Sequence, residues 1–183
     1  MFNLDKFIEE CVQARNDDSS HKAVREVVRE AFSDRAAVAN ALPEPEGAGF
    51  DTLYHSSELT ILNFTWAPLM SLMPHNHNAW AVIGIYSGRE DNIFWKKKDS
   101  GIEAAGAKSL MPGDVTALGR DIIHSVLNPT QKLTSAIHVY GGDFFADGRS
   151  EWNPETLTES KYDVEKTRRI FKEANARFSL GEA

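Results

Sequence analysis

The sequence predicts a mainly β domain, a barrel or sandwich that is flanked by helices at its two ends. Short segments rich in β-branched and aromatic residues follow one another from residue 50 to residue 145. Residues 1–42 and 161–178 instead carry apolar residues at helical spacing. Because 183 residues can bury one sizeable core and are few for two ordinary domains, we expect a single domain over 1–183.

The first 42 residues are predicted to form helices. Apolar residues recur at helical spacing in the segments Leu4–Val12 and Val24–Phe32. The polar run at 17–20 separates the two segments and supplies N-cap residues for the second helix, and Asp34 can cap a short third helix. The sequence PEPEG at 43–47 then ends the helical region.

Six segments of the middle region are predicted to be strands. Glycine, proline, asparagine and aspartate separate most of them, and this regular punctuation favours a sandwich or barrel. The predicted strands are 59–66, 79–86, 92–96, 115–118, 123–127 and 133–140. A helix within 161–178 completes the chain, and we expect the helices at both ends to pack onto the barrel.

Composition argues against several classes of function. The chain has 20 Lys and Arg against 27 Asp and Glu, a formal net charge of −7, which argues against a general nucleic-acid binder because phosphates require a basic face. No stretch approaches the roughly 20 apolar residues of a membrane span. The segment MFNLDKFIEE does not resemble a signal peptide, and Cys11 is the only cysteine. We therefore expect no intramolecular disulfide, no membrane partner and a cytoplasmic location.

The sharpest local motif is an HxH pair, His75 and His77. Alternate residues of a strand point to the same face, so two imidazoles at this spacing can meet one metal ion. Downstream, a tight Pro112-Gly113-Asp114 turn leads into a strand, and the next strand carries His124. His55 has no partner at ligand spacing and is interpreted as a structural or surface residue.

These motifs resemble those of the cupin superfamily over about the central half of the chain. Cupins carry HxH in a first motif, and in a second motif a Pro-x-Gly turn precedes a histidine and, four residues on, an asparagine. His75, His77, His124 and Asn128 match this pattern, with Gly88 at the end of the first motif. The resemblance implies a double-stranded β-helix, or jelly-roll barrel, and one divalent metal on the three histidines.

One departure from the cupin pattern concerns the fourth ligand. Many cupins place a glutamate ligand four or five residues after the second histidine, where this sequence has Ala81 and Val82; Glu90 lies too far along the chain. The ligand set is therefore expected to be three neutral imidazoles. A divalent ion then keeps its full charge, which favours anionic ligands, and open coordination positions remain for a substrate.

A third motif, His138-Val139-Tyr140, also places two polar side chains on one strand face. Three cupin histidines followed by His-x-Tyr resemble the thiol dioxygenase family, which includes cysteine dioxygenase and 3-mercaptopropionate dioxygenase. This resemblance implies Fe²⁺ as the cofactor, a small thiol and O₂ as partners, and a sulfinic acid as product. It also implies that His138 orients the Tyr140 phenol near the substrate.

The relay of that family is incomplete in this sequence. The serine of its Ser-x-His-x-Tyr pattern is replaced by Ala136, and Ser135 is expected to face the other way. Some animal members cross-link a cysteine to the tyrosine, but Cys11 matches nothing there and no cross-link is expected.

The family fixes the substrate carboxylate with an arginine. Arg149 follows Tyr140 by nine residues and is predicted to form this clamp, with Arg89 and Arg120 as rivals. Four residues are candidates for an apolar wall of the site or for ordinary core packing: Phe64, Trp66, Trp80 and Ile83.

The leading functional hypothesis is thus an iron(II) dioxygenase that converts 3-mercaptopropionate or cysteine to its sulfinic acid. One alternative is a hydrolytic zinc enzyme on the same three histidines, although no obvious carboxylate base lies near them in the sequence. Another alternative is a non-catalytic cupin that binds a metal or a small anion.

Overall fold

The computed structural model describes residues 2–181; residue 1 of the predicted helical segment and residues 182–183 of the predicted domain lie outside the described part. Ser20 and Asp34 cap the second and third helices, accepting hydrogen bonds from the amides of Lys22 and Ala37. The four helices are α1 (Leu4–Asp17), α2 (His21–Phe32), α3 (Arg35–Asn40) and α4 (Val164–Ser179). None of them is long and apolar enough to cross a membrane.

Eleven strands lie between α3 and α4. They are β1 (Gly49–His55), β2 (Thr60–Trp66), β3 (Ser71–Asn76), β4 (Ala81–Ser87), β5 (Glu90–Lys98), β6 (Gly101–Leu110), β7 (Val115–Leu118), β8 (Ile123–Leu127), β9 (Thr134–Tyr140), β10 (Ser150–Trp152) and β11 (Glu159–Lys161).

The strands form two antiparallel sheets. One sheet has the order β1-β2-β9-β4-β7 and the other has the order β11-β10-β3-β8-β5-β6. From β2 to β9 the chain passes back and forth between the sheets, with only β5 and β6 as consecutive neighbours. This is the connectivity of an eight-stranded jelly roll, the double-stranded β-helix of cupins. The predicted fold class, with helices at both ends, is confirmed.

Two apolar clusters hold the layers together, one on each face of the five-stranded sheet. Alternate residues of β2, for example, divide between them: Leu62 and Phe64 face the space between the sheets, whereas Ile61 faces the N-terminal helices. Phe7, Cys11 and other apolar residues of α1 to α3 cover this outer face. Both faces of β2, β4 and β9 are therefore buried, and these strands form a rigid platform for side chains that point inward.

The C-terminal helix predicted within 161–178 is confirmed. α4 begins at Val164, and the first residue of the predicted range instead belongs to the strand Glu159–Lys161, which pairs with β10. Asp163 caps the helix by accepting a hydrogen bond from the amide of Lys166.

Several strands were not predicted. β7 and β8 have the predicted bounds, but β1, β6, β10 and β11 are absent from the prediction, and β3 is predicted only as the strand that carries the HxH pair, without bounds. The sequence of β6, GIEAAGAKSL, is poor in β-branched residues, and most of this edge strand is exposed. Pairing with β5, rather than local propensity, makes it a strand.

Candidate metal centre

Strand pairing brings the three motif histidines together. His75 on β3 lies directly opposite His124 on β8, and His77 follows one residue beyond the end of β3. All three side chains are buried between the sheets, with at most 6% of their surface exposed. One ligand nitrogen from each lies within 4.8 Å of the others.

The Nε2 atoms converge on a single point. His77 Nε2 is 3.2 Å from His75 Nε2 and 3.2 Å from His124 Nε2. Nitrogens that bind one ion at about 2.1 Å, with angles between octahedral and tetrahedral, lie about 3.0 to 3.4 Å apart. The observed spacing fits a shared metal ion.

The opposite ring nitrogens fix the tautomers of two of these histidines. His75 Nδ1 donates to the carbonyl oxygen of Met73 at 2.9 Å, and His124 Nδ1 donates to Asn92 Oδ1 at 2.6 Å. Neutral rings with a proton on Nδ1 carry a lone pair on Nε2, so the lone pairs of His75 and His124 both point at His77 Nε2, which can donate only one proton. A cation between the rings resolves this conflict, and hydrogen bonds of this kind are those that orient metal-binding histidines.

Burial also keeps the three rings neutral. It lowers the pKa of His75 to about 4, and it lowers the pKa of His77 and His124 well below the usual value. The neighbouring positive charges act in the same direction, including Arg149 for His75 and His77. At neutral pH the site therefore presents three neutral imidazoles, a ligand set that suits iron, zinc, copper or nickel.

A chain of buried polar groups lies behind His124. Asn92 accepts from His124 through Oδ1 and donates through Nδ2 to Glu90 Oε1 at 2.9 Å. Trp66 Nε1 donates to Glu90 Oε2, also at 2.9 Å. Burial opposes ionisation of Glu90, but contacts from His138, Asn92 and Trp66 outweigh it and lower the pKa of the carboxyl.

The same carboxylate reaches the His-x-Tyr pair. Glu90 Oε2 lies 3.4 Å from His138 Nε2, and His138 Nδ1 lies 3.0 Å from the Tyr140 hydroxyl. The 3.4 Å separation is long for a hydrogen bond, so this contact is better described as electrostatic. The Tyr140 ring packs against His77, with ring centroids 4.9 Å apart. The polar chain, which we call the inner chain, thus runs His124–Asn92–Glu90–His138–Tyr140.

Arg149 lies on another wall of the same cavity. β10 extends the six-stranded sheet by pairing with β3, where Glu151 lies opposite His75, and Arg149 immediately precedes this strand. The guanidinium carbon is 4.4 Å from the centroid of Phe144 and 4.2 Å from that of Tyr162. Only 8% of the residue is exposed, and its Nη1 is buried without a hydrogen-bond partner among the described residues.

The cavity that contains these groups has a volume of about 440 Å³. His75, His77, His124, His138, Tyr140 and Arg149 all line it. The structure therefore brings together every residue that the sequence predicts for the metal, the tyrosine pair and the substrate clamp.

The other residues named in the sequence analysis do not all line the cavity. Phe64 and Trp66 line the cavity, but Trp80 does not; its Nε1 donates to the carbonyl of Ser19. Ile83 belongs to the core between the sheets. Asn128 is a turn residue whose amide donates to the carbonyls at 66, 67 and 132.

The rival arginines lie elsewhere. Arg89 forms a bidentate ion pair with Asp91, with both contacts at 2.8 Å, and Arg120 is exposed outside the cavity. Ser135 faces away from His138, as expected, and its hydroxyl is 3.4 Å from that of Thr65. Cys11 packs in the cluster under the N-terminal helices, whereas Tyr140 belongs to the core between the sheets.

Sequence reasoning missed the roles of Glu90 and Asn92. The sequence pattern raises Glu90 only as a possible metal ligand, and it is not part of the histidine cluster. The strand predicted at 92–96 also begins two residues after the start of β5, at Glu90. The usable signal was the alternation of Glu90, Asn92 and Phe94, which places two polar groups on the inward face of one strand.

Comparison with known proteins adds similarity of fold. No protein-family model matches the sequence, and no curated protein matches it. An RmlC-like cupin family protein with a double-stranded β-helix fold from Methanocaldococcus jannaschii is 10% identical, with a TM-score of 0.47 over 56% of this chain and 87% of that one.

Two further solved structures give comparable values. A cupin superfamily protein from Desulfitobacterium hafniense DCB-2 is 16% identical, with a TM-score of 0.46 over 58% of this chain and 88% of that one. Oxalate decarboxylase from Bacillus subtilis is 15% identical, with a TM-score of 0.45 over 59% of this chain and 29% of that one. These similarities assign no activity to this chain.

The connectivity and the site together define the class of protein. It has the cupin double-stranded β-helix fold and a buried cluster of three histidines that can hold one metal ion.

Proposed function

We propose that the protein is a non-haem iron(II) dioxygenase that converts a thiol carboxylic acid, such as 3-mercaptopropionate or cysteine, into its sulfinic acid with O₂. One observation carries this proposal: a three-histidine cluster, a buried tyrosine and an unpaired buried arginine line the same cavity. The resemblance of the His-x-Tyr motif to thiol dioxygenases selects this chemistry among those open to the site.

The reaction is balanced without an external reductant. A thiol and O₂ give RSO₂H, so the sulfur loses four electrons, O₂ accepts them, and both oxygen atoms remain on sulfur. Iron bound by His75, His77 and His124 would supply the redox chemistry with O₂ and would favour the thiolate form of the substrate.

Arg149 binds and orients the substrate in this proposal. Arg149 lines the cavity, where burial strengthens electrostatic attraction, and its Nη1 has no protein partner among the described residues. A carboxylate bound beside this guanidinium would gain a charge-assisted hydrogen bond. Phe144 and Tyr162 hold the guanidinium from two sides, which limits the entropy lost when the acid binds.

Tyr140 acts as a hydrogen-bond donor. Burial, followed by the negative charge of Glu90, raises its pKa well above the usual value of 10, so the phenol keeps its proton at neutral pH. His138 Nδ1 lies 3.0 Å from the hydroxyl and fixes its position; when Nδ1 donates to the phenol oxygen, the phenol proton is free to be donated to an oxygen that develops negative charge in the cavity.

The proposal is tested with protein purified without air. We expect iron as the bound metal, and O₂ uptake with 3-mercaptopropionate or cysteine that matches sulfinate formation one to one. Zinc as the metal, with no O₂ uptake for any thiol, would overturn the proposal. His77→Ala provides the control for O₂ uptake by free iron.

A further inference from the structure

The cavity is larger than the simplest thiol acids require. A cavity of about 150 Å³ accommodates a ring of six heavy atoms, whereas the metal cavity has a volume of about 440 Å³. 3-Mercaptopropionate has six non-hydrogen atoms and would fill roughly a third of this space. Even with a metal ion and O₂ beside the histidines, space would remain along the apolar walls.

Much of the remaining lining of the cavity is aromatic, alongside the aliphatic residues Leu72, Val126 and Val164. Six aromatic side chains line it outside the histidines and tyrosines: Phe50, Phe64, Trp66, Phe144, Phe145 and Phe171. Phe64 and Trp66 are stacked at 5.2 Å with an interplanar angle of 6°, and Trp66 also contacts Phe171 of α4 at 5.6 Å. Such walls interact with aromatic ligands through stacking and edge contacts, in addition to apolar burial.

This aromatic wall continues to the surface. Phe50 and Phe145 are 44% and 45% exposed, and their ring centroids are 6.2 Å apart. Phe145 also contacts Phe144, whose other neighbours include Arg149 and Tyr140. A ligand held by Arg149 would therefore lie between the metal centre and an apolar surface that extends to the opening of the cavity at Phe50 and Phe145.

Helix α4 forms part of this surface and is anchored at two points. Lys166 pairs with buried Glu151 at 2.6 Å, and the Asn175 side chain forms two hydrogen bonds with the backbone of Ala48. The cavity volume is thus set by a fixed wall.

We infer that the substrate is a thiol carboxylic acid that carries an aryl group. The aryl group occupies the aromatic wall, Arg149 binds the carboxylate, and the thiol reaches the three histidines. This inference rests on the proposed function for the thiol, whereas the anion and the aryl group follow from the cavity alone. It makes 3-mercaptopropionate and cysteine minimal fragments of the substrate.

The ligand class is tested by binding, without any reaction. We expect 3-phenylpropionate to bind roughly tenfold to hundredfold more tightly than propionate in calorimetric titrations, since one aromatic ring becomes buried. Hexanoate, which has an alkyl chain in place of the ring, should bind more weakly than 3-phenylpropionate. Equal affinities for propionate and 3-phenylpropionate would overturn the inference, and hexanoate as the tighter ligand would overturn the aryl assignment.

Two variants of similarly exposed residues locate the ring. Phe145→Ala should weaken binding of 3-phenylpropionate several-fold and leave propionate unchanged. Ile93→Ala is the matched control, because Ile93 is 42% exposed and lies outside this cavity. If both variants bind 3-phenylpropionate as the wild type does, the aryl group does not occupy the proposed wall.

Oxidation assays separate this inference from the proposed function. The substrate pair is 3-mercaptopropionate and 2-benzyl-3-mercaptopropanoate, which share the acid and the thiol, and we expect a higher kcat/KM for the benzyl compound. If 3-phenylpropionate binds tightly but no thiol is oxidised, the ligand class stands and the dioxygenase proposal fails. If 3-mercaptopropionate is oxidised faster than the benzyl compound, the dioxygenase proposal stands and the inference fails.

Discussion

The two sides of the metal cavity differ in how their polar groups are satisfied. On one side, the inner chain from His124 to Tyr140 links five buried side chains, and three of its four links are hydrogen bonds of at most 3.0 Å. The fourth is the Glu90–His138 contact at 3.4 Å, where His138 Nε2 has no hydrogen bond among the described residues but lies beside a carboxylate. On the other side, Arg149 is also buried, and its Nη1 has neither a hydrogen bond nor an ion-pair partner among the described residues.

This difference separates groups that hold a geometry from groups that await a ligand. A buried hydrogen-bonded network fixes side chains and gains nothing from binding a further molecule. A buried donor without a partner is costly, and a ligand that satisfies it recovers that cost. Variants on the two sides are therefore expected to change different kinetic constants.

The largest effect is expected where the two sides meet, at the metal. His77→Ala, His75→Ala and His124→Ala should each abolish stable metal binding and all oxidation, because each removes one of three ligands. The barrel should stay folded, because each substitution also removes a close contact between ring nitrogens of the metal-free site. Metal content is measured by elemental analysis, and folding by circular dichroism.

The control for this series is His55→Ala. His55 is exposed and pairs with Asp143 at 2.8 Å, so its loss should leave metal content unchanged. A variant of His75, His77 or His124 that kept full metal occupancy would remove that residue from the ligand set.

On the inner side, Tyr140→Phe should lower kcat by roughly 10² or less, with metal content and KM retained, because one hydrogen-bond donor is lost. His138→Gln should act in the same direction through the position of the phenol. Steady-state O₂ uptake gives both constants. Wild-type turnover in both variants would exclude this pair from the reaction.

On the outer side, Arg149→Ala should raise KM for 3-mercaptopropionate by about tenfold to hundredfold, equivalent to about 1.5–3 kcal/mol for a charge-assisted contact. A neutral thiol such as 2-mercaptoethanol should be little affected. An equal loss for both thiols would indicate a structural role for Arg149. Faster oxidation of cysteamine than of either acid by the wild type would contradict a carboxylate clamp.

Sequence patterns predicted the elements of this fold that carry strong local signals. β-branched runs and proline–glycine turns located β7 and β8 at their observed bounds, and the HxH and His-x-Tyr spacings located the inward-facing side chains. The edge strands β6 and β11, and β10 beside β11, escaped prediction because pairing with a neighbour, and not residue composition, makes them strands.

The inner chain was harder to predict for a different reason. The sequence has Ala136 where the thiol dioxygenases that it resembles have a serine, and it does not show which polar group lies next to His138. Glu90 reaches His138 from a strand of the opposite sheet, and only the register of the two sheets brings them to 3.4 Å. Such a contact has no spacing in the sequence by which to recognise it.

The smallest expected effect concerns the Glu90–His138 contact, and it tests whether the inner chain acts as a unit. Glu90→Gln keeps the shape of the side chain but removes its charge and places an amide donor against Asn92, Trp66 or His138. We expect a loss of roughly 1–3 kcal/mol in unfolding free energy and a decrease in kcat of at most about tenfold. Chemical denaturation and O₂ uptake measure the two effects.

The pH dependence gives an independent readout of the same substitution. Because the folded-state pKa of Glu90 is lowered, its ionisation stabilises the fold above the unfolded-state pKa of about 4.3, and this contribution is lost as pH falls through the folded-state value. Glu90→Gln cannot titrate, so its stability should fall less steeply with acid below that pH. A variant with the wild-type slope would show that Glu90 is not held ionised.

A double-mutant cycle connects Glu90 to the tyrosine. If Glu90 acts on catalysis by positioning His138 and thereby Tyr140, then Glu90→Gln should cost little further activity once Tyr140→Phe has removed the phenol. The same cycle with Arg149→Ala should be close to additive, because among the described residues the guanidinium forms no hydrogen bond or ion pair with the inner chain. Additive losses in both cycles would mean that Glu90 stabilises the barrel without positioning the phenol. The inner chain and the Arg149 side would then differ only in how their charged groups are buried.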